Sequence, residues 1–358
     1  MGRPAQDVRF CTSRDGTRIA FAVSGQGAPL LRAGHSFSHL EFEWESEAWR
    51  PMLELLGFNR TLVRYDMRGT GLSDRDGIEF SFDRYVEDLE AVVTAAGLRK
   101  FSIFGMTGGG ALAVAYTVRH PQQISHLVLY GAYLQGRMVR SRTKDQKEET
   151  TLVLRLMELG WGQDNPTFQQ LFTYQFFPDG STEQFRSFNE LMRRSASSEQ
   201  AAALLRAWFD ADISELAPRL RAPTLVFHAR GDLRVPYDQG RLLASCIPGA
   251  KLVSLESRNH MLLSGEPAWQ HMHEELEAFL PIELAHEAAA APTSAAGLSL
   301  RERSVLDLLT LGLDMPDMAS RLGITEKTLR NHLSMIYSKL GVSGRAQATA
   351  WAQRELRA

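Results

Sequence analysis

Three residues far apart in the chain have the types and surroundings that nucleophilic chemistry needs: Thr107, Asp232 and His260. Thr107 stands in Phe104-Gly-Met-Thr-Gly-Gly-Gly110, behind an apolar run and ahead of a helical one, with glycines on both sides. This is the G-x-S-x-G nucleophile-elbow pattern with threonine at its centre, a turn too sharp for flanking side chains. The amide of Gly108, at a helix N-terminus, is placed to stabilise an oxyanion. Asp232 follows the strand-like run that ends at Phe227-His-Ala, and His260 follows the next one. A hydroxyl, an acid and an imidazole in that order supply a nucleophile, a group that orients the base, and the base itself. Threonine alters the expectation. A nucleophile at such an elbow has positive φ, costly for a β-branched residue, and its methyl crowds a carbonyl carbon.

A second set of residues suits DNA. From Glu326 the apolar residues Leu329, Leu333, Ile336, Tyr337 and Leu340 fall on one helical face, leaving Lys327, Arg330, Asn331, Ser334 and Ser338 on the opposite face, with Thr328 beside them as a further candidate DNA contact. Arginine grips guanine edges and asparagine adenine edges, whereas Lys327, Lys339 and Arg345 suit phosphates. Nine Lys/Arg against six Asp/Glu from Leu298 onward give this segment +3, and the remainder −5, within a net charge of −2. The asymmetry favours nucleic acid for the tail only.

Elements that position these groups can be read from periodicity and punctuation. In the tail, Ser299 caps a helix with Leu300, Val305, Leu308 and Leu309 on one face. Asp314 caps a second, ending at Leu322; Gly323 turns the chain, Thr325 caps a third, and Gly341 ends it. This is a helix-turn-helix layout, whose second helix of the pair enters the major groove. Upstream, the apolar runs 29–33, 61–65, 101–106, 126–130, 224–228 and 251–255 alternate with helical stretches. Such alternation predicts a mostly parallel sheet covered on both faces, with functional residues at the carboxyl ends of strands.

At 358 residues, with 44% hydrophobic and 23% charged residues, two soluble domains are expected. The run 285–297, rich in Ala with Pro292 and Gly297, reads as a linker. Cys11 and Cys246, the two cysteines, lack metal-ligand spacing and read as buried thiols. With no signal-peptide core and no apolar run long enough for a membrane, the expected location is the cytoplasm. Neither a metal nor an organic cofactor is expected.

The tail segments Leu298-Ser-Leu-Arg-Glu-Arg-Ser-Val-Leu, Met318-Ala-Ser-Arg-Leu-Gly-Ile-Thr-Glu-Lys-Thr-Leu-Arg-Asn-His-Leu and Lys339-Leu-Gly-Val-Ser-Gly-Arg-Ala-Gln-Ala resemble the LuxR-type (GerE) output domain. The resemblance implies a small all-α, four-helix DNA-binding module over 298–358, whose last helix pairs two modules on a two-fold site of double-stranded DNA. It further implies a homodimer, with RNA polymerase as an additional partner.

Residues 7–282 resemble the α/β-hydrolases. Besides the elbow, Asp232 and His260, the likeness rests on Arg64-Tyr-Asp-Met-Arg-Gly-Thr-Gly-Leu-Ser-Asp74, His120-Pro, Leu127-Val-Leu-Tyr-Gly and Gly265-Glu-Pro. It implies an α/β-hydrolase fold over 1–282, a helical lid at about 134–218, and a linker at 283–297. Thr107 then occupies the family's serine position, and Ser36, in Gly34-His-Ser, is the nearest match to the second oxyanion donor; His35 reads as a structural histidine. The lid carries ten aromatic residues between 161 and 209, about twice the density of the whole chain. Met106, Trp161, Phe172, Phe176 and Trp208 are therefore expected to line an apolar pocket for a small apolar or aromatic ligand. The charged run from Arg140 to Glu149 reads as solvated. Two functions remain open: a regulator with a ligand-sensing pseudo-hydrolase domain, and a working esterase or lactonase joined to a DNA-binding module.

Overall fold

The computed structural model describes residues 6–161, 171–280, 300–322, 326–342 and 344–355. The expected linker and the expected caps and turn at Ser299, Gly323 and Thr325 lie outside them. Chain contacts separate two compact units, Met1–Leu284 and Ala285–Ala358.

Eight strands build the sheet of the first unit: β1 (Gln6–Thr12), β2 (Arg18–Ser24), β3 (Ala28–Arg32), β4 (Arg60–Tyr65), β5 (Phe101–Met106), β6 (Ile124–Tyr130), β7 (Thr224–Ala229) and β8 (Lys251–Leu255). Their order is β1-β2-β4-β3-β5-β6-β7-β8. The pairs from β4–β3 through β7–β8 are parallel, and β1 and β2 add an antiparallel edge. The six apolar runs became β3 to β8. The first two strands escaped sequence reading: β1 is a half-exposed edge strand that mixes polar and apolar residues, whereas β2 is buried from Ile19 to Ala22 and joins it as an antiparallel hairpin with no helical stretch between them.

Alternation along the strands divides the core into two layers. Leu30, Leu62, Phe104, Val128 and Phe227 face one side, with the helices Arg50–Gly57 and Pro267–Phe279 and the lid aromatics. Leu31, Val63, Ile103, Leu127 and Val226 face the other, against the helices Phe82–Ala95 and Gly108–Arg119. The chain leaves β3 toward β4 and returns to β5 on the opposite side. The carboxyl ends of β3 and β5 therefore open a topological switch point, where α/β sheets bind ligands.

Between β6 and β7 the chain leaves the sheet and forms the helices Lys144–Gly160, Thr182–Ser195 and Ser198–Asp210. Each starts at a capping box: Thr143, Ser181 and Ser197 accept from the amides of Gln146, Gln184 and Gln200, whose side chains reach back to the cap amides. Such a cap contributes about 1 kcal/mol to fixing where its helix begins. Cys11 and Cys246 are free thiols and half-buried, less enclosed than their spacing suggested. Among the described residues no helix is long and apolar enough to cross a membrane, and no group of His, Cys, Asp and Glu is arranged to hold a metal.

The second unit packs four helices, Leu300–Thr310, Met315–Leu322, Glu326–Leu340 and Arg345–Glu355. Val305, Leu309, Met318, Leu322, Leu329, Leu333 and Ile336 are buried together, with Tyr337 and Leu340 partly so. The Asp314 carboxylate caps the second helix through Asp317 N (2.9 Å), and Gly341 ends the third at φ 65°.

Candidate functional site

Thr107 sits between the end of β5 and the helix Gly108–Arg119 at φ 51°, ψ −119°. Close packing forces the glycines around it. A Cβ at Gly105 would lie 2.6 Å from Gly109 O, and one at Gly109 2.5 Å from Gly34 O. The turn thus closes only on bare backbone and drives Thr107 into a conformation that costs a β-branched residue about 1–3 kcal/mol.

Thr107 Oγ1 is 2.6 Å from His260 Nε2, and His260 Nδ1 is 2.7 Å from Asp232 Oδ2. A carboxylate beside Nδ1 requires the proton there, leaving the Nε2 lone pair to accept from the threonine hydroxyl. The other oxygen of Asp232, Oδ1, accepts from Arg234 N and Val235 N, both at 2.8 Å, which fixes the loop after β7. Burial pushes the Asp232 carboxyl up, but His260 and these hydrogen bonds outweigh it and hold it below the ordinary carboxylate range. His228 lies 3.5 Å from Asp232 Oδ2 and donates from Nε2 to Val235 O (2.9 Å); burial holds its pKa down. This supporting histidine went unnoticed in the sequence, although it immediately precedes the acid loop. Gly131, at φ 54°, gives the His260 ring room: a Cβ there would approach Cε1 to 2.6 Å.

Ser36 follows β3 in a loop held from behind. His35 Nδ1 donates to Ser36 O (2.7 Å), and its Nε2 meets Glu43 Oε1 at 3.0 Å. Glu43, fully buried, also pairs with Arg32 (2.7 Å) and with Arg64, and the His35 ring stacks on Trp49 at 4.4 Å. Phe37 next to it takes φ 67° and packs on Trp161 at 4.4 Å. Ser36, Thr107 and Gly108 line one cavity. The Gly108 N–H lies in the first helical turn, which has no intrahelical acceptor for it, so it can donate into that space.

The cavity measures about 30 Å³, and its remaining walls are Tyr133, Arg137, Arg140, Leu205, Trp208, Phe209, Arg234 and Val235. Of the aromatics expected to line it, Trp208 does, packed so closely on Gly108 that a Cβ there would lie 2.6 Å from the indole. Met106, Trp161, Phe172 and Phe176 are instead buried together in the core on that side of the sheet. Trp161 donates to Ala196 O (2.8 Å), and Phe176 meets the His260 ring edge-on at 5.6 Å. Three arginines in the wall were not foreseen. Arg140, expected in solvent, is partly covered over the Tyr133 ring at 5.7 Å, because the single turn Arg137–Arg140 is tied down by Gly136 N donating to Ala211 O (2.7 Å).

In the second unit, Arg330, Ser334 and Lys339 are exposed on the third helix. Arg330 makes a surface pair with Glu326 at 3.2 Å. Lys327, Thr328 and Asn331 belong to the same helix, but their side chains lie outside the described residues. Arg345, expected at a phosphate, turns inward: its guanidinium donates to Leu313 O and lies 3.9 Å from Met318 Sδ.

Residues 35–267 match the family model of the alpha/beta hydrolase fold, and residues 296–352 that of bacterial regulatory proteins, luxR family. The first unit is similar to pyrrolizixenacetamide deacetylase of Xenorhabdus hominickii, 24% identical over 67% of this chain and 87% of that protein. Among solved structures it resembles an esterase from Exiguobacterium antarcticum (TM-score 0.62, 22% identity, 75% of this chain and 98% of that one). An enol-lactonase from Burkholderia xenovorans LB400 superposes similarly (TM-score 0.61, 18% identity, 76% of this chain and 99% of that one). With the strand order, the elbow and the helix-turn-helix in place, the chain belongs to the α/β hydrolase fold family and carries at its C-terminal end the DNA-binding domain of luxR-family bacterial regulators.

Proposed function

We propose that the protein is a ligand-responsive transcription regulator in which the hydrolase-fold unit is a receptor. The observation that carries this reading is Thr107 at φ 51° in the nucleophile position, a secondary alcohol on a strained backbone where its methyl competes with an incoming carbonyl carbon. The same hydroxyl, with the Gly108 and Ser36 amides and His260, offers a polar ligand group three kinds of hydrogen-bonding partner. The cavity of about 30 Å³ is close to one water's share of liquid volume, far below the few hundred Å³ of a ligand site. An organic ligand therefore enters only if the lid helices part, which gives the unit two forms whose balance a ligand shifts through its differential affinity. On the DNA side, Arg330 and Asn331 read base edges, while Lys327, Thr328, Ser334 and Lys339 meet the backbone. Two copies occupy a two-fold site in the cytoplasm, with RNA polymerase as the downstream partner.

A second reading, an esterase or lactonase with Thr107 as nucleophile, draws on the 2.6 and 2.7 Å hydrogen bonds that link Thr107, His260 and Asp232. It is also the activity class named for the similar esterase and enol-lactonase. Hydrolysis of short and aromatic esters and lactones by the wild type, Thr107→Ala and Thr107→Ser separates the two. The receptor reading expects a wild type as inert as Thr107→Ala and a gain of activity in Thr107→Ser. Robust wild-type turnover lost in Thr107→Ala would replace the receptor with an enzyme.

A further inference from the structure

We propose that the cavity over Thr107 takes an organic carboxylate, its anionic end held by Arg234 and Arg140. This rests on the receptor reading above and names the ligand's chemistry. Arg234 is 8% exposed, and its guanidinium lies among Phe172, Phe176 and Phe209 at 5.2, 5.3 and 5.9 Å from their rings. It donates to the neutral Gln175 Oε1 (3.2 Å), and Arg140 to Gln135 O (3.1 Å). Among the described residues no carboxylate pairs with either guanidinium. Of the charged groups near them, Arg137 in the cavity wall is matched by Glu149 (2.6 Å), and Asp232, behind the wall, is committed to His260 and to two backbone amides. Among the described residues the wall is therefore left with two cations without an ion-pair partner, inside an aromatic enclosure.

Leaving a buried charge uncompensated is costly, and a fold that retains one at a cavity wall gains from an anion placed there. Burial and the neighbouring Arg137 and Arg140 bring the Arg234 guanidinium down to about 10, so it stays charged at neutral pH. A guanidinium fork matches a carboxylate in both shape and hydrogen-bond direction. The same cavity is lined by Ser36 and Gly108, whose amides suit a carbonyl oxygen, and by Thr107, whose Oγ1 donates to His260 and keeps lone pairs to accept from a ligand hydroxyl. Trp208, Leu205 and Phe209 lie along the walls and suit a short or flat carbon skeleton. The ligand class is thus a small carboxylic acid, aromatic or short-chain, with a second oxygen function.

The test is calorimetric titration of the full chain with benzoate and 4-oxopentanoate, with their neutral amides, and with inorganic phosphate, at fixed ionic strength. At least one acid should bind, with its amide about tenfold weaker or worse. Arg140→Met, at the less buried arginine, should lose about tenfold of that affinity, and Arg234→Lys should retain more than Arg234→Met. Melting of each unliganded variant separates lost binding from lost folding. Equal affinity for acid and amide, phosphate binding as tight as the acids, or an Arg140→Met protein indistinguishable from wild type would each overturn the carboxylate assignment. Amide binding that a cavity-filling Leu205→Trp abolishes would preserve the receptor reading while removing the carboxylate. If none of the probes binds, both readings fall.

Discussion

Glu43→Gln tests the support behind the Ser36 loop. Glu43 is fully buried, and its two oxygens serve three partners: Arg32 (2.7 and 2.8 Å), His35 (3.0 Å) and Arg64. Arg32 Nε and Nη1 and Arg64 Nε already lack hydrogen-bond partners, so one carboxylate balances two buried guanidiniums. A glutamine keeps the volume, removes the charge, and turns one acceptor into a donor facing a cation. Breaking a buried ion pair by removing one partner costs about 3–5 kcal/mol. For a unit of this size that corresponds to a fall of roughly 6–20 °C in melting temperature. The pH dependence has a definite sign. Burial pushes the Glu43 carboxyl up, but Arg32, His35 and Arg64 together hold it well below its ordinary 4.5. A depressed folded pKa stabilises fully above the unfolded value, and that stabilisation is lost as pH falls toward the folded one. The gap between wild type and variant should be widest near neutrality and should narrow below pH 4.5. Scanning calorimetry of the full chain, following the hydrolase-fold transition, reads both. A variant melting within about 2 °C of wild type at neutral pH would refute the reasoning.

Three further outcomes are expected. Burial pushes the Asp66 carboxyl up to about 6, above its ordinary 3.8, although Leu72 N (2.9 Å) and Leu40 N (3.2 Å) donate to it. The contribution of Asp66 to stability should therefore fall as pH rises from 3.8 to about 6, by up to about 3 kcal/mol, so that Asp66→Asn should gain on the wild type over that range in denaturant midpoints; a difference between the two that does not change with pH would count against it. Arg330→Ala should relax base preference at a cost of about 1–3 kcal/mol in binding assays on varied sites, and an equal loss on every sequence would exclude base readout. Arg345→Met should lower the melting temperature of the helix-turn-helix unit and leave the salt dependence of DNA affinity unchanged. A slope reduced by about one would put Arg345 on a phosphate after all.

Features of the site governed by neighbours in sequence were legible from it. The glycine spacing around Thr107 announced the elbow, because the turn's steric demands fall within a few residues of its centre. Asp314 and Gly341 marked helix ends for the same reason, and the stripe from Leu329 to Leu340 disclosed its buried face through the helical period. The lid behaved differently. Its aromatic content was plain, but membership of the pocket wall depends on which side of each helix meets the sheet. Trp208 reached the cavity, while Trp161, Phe172 and Phe176 went into the core.

Charges divided along the same line. Arg140 in a polar run, and Arg234 two positions after an acid, look like surface residues in one dimension. Arg345, on a basic segment, looks like a phosphate contact. The sequence alone determined the parallel sheet, the elbow with its threonine, the order of acid and histidine, and the helix-turn-helix, since each is written in short-range spacing or in a repeating period. Only the tertiary structure decided that two arginines with no ion-pair partner among the described residues line one cavity with Thr107, and that Arg345 turns inward. A charge is compensated or left unpaired by groups tens of residues away, and that balance exists only once the chain has packed.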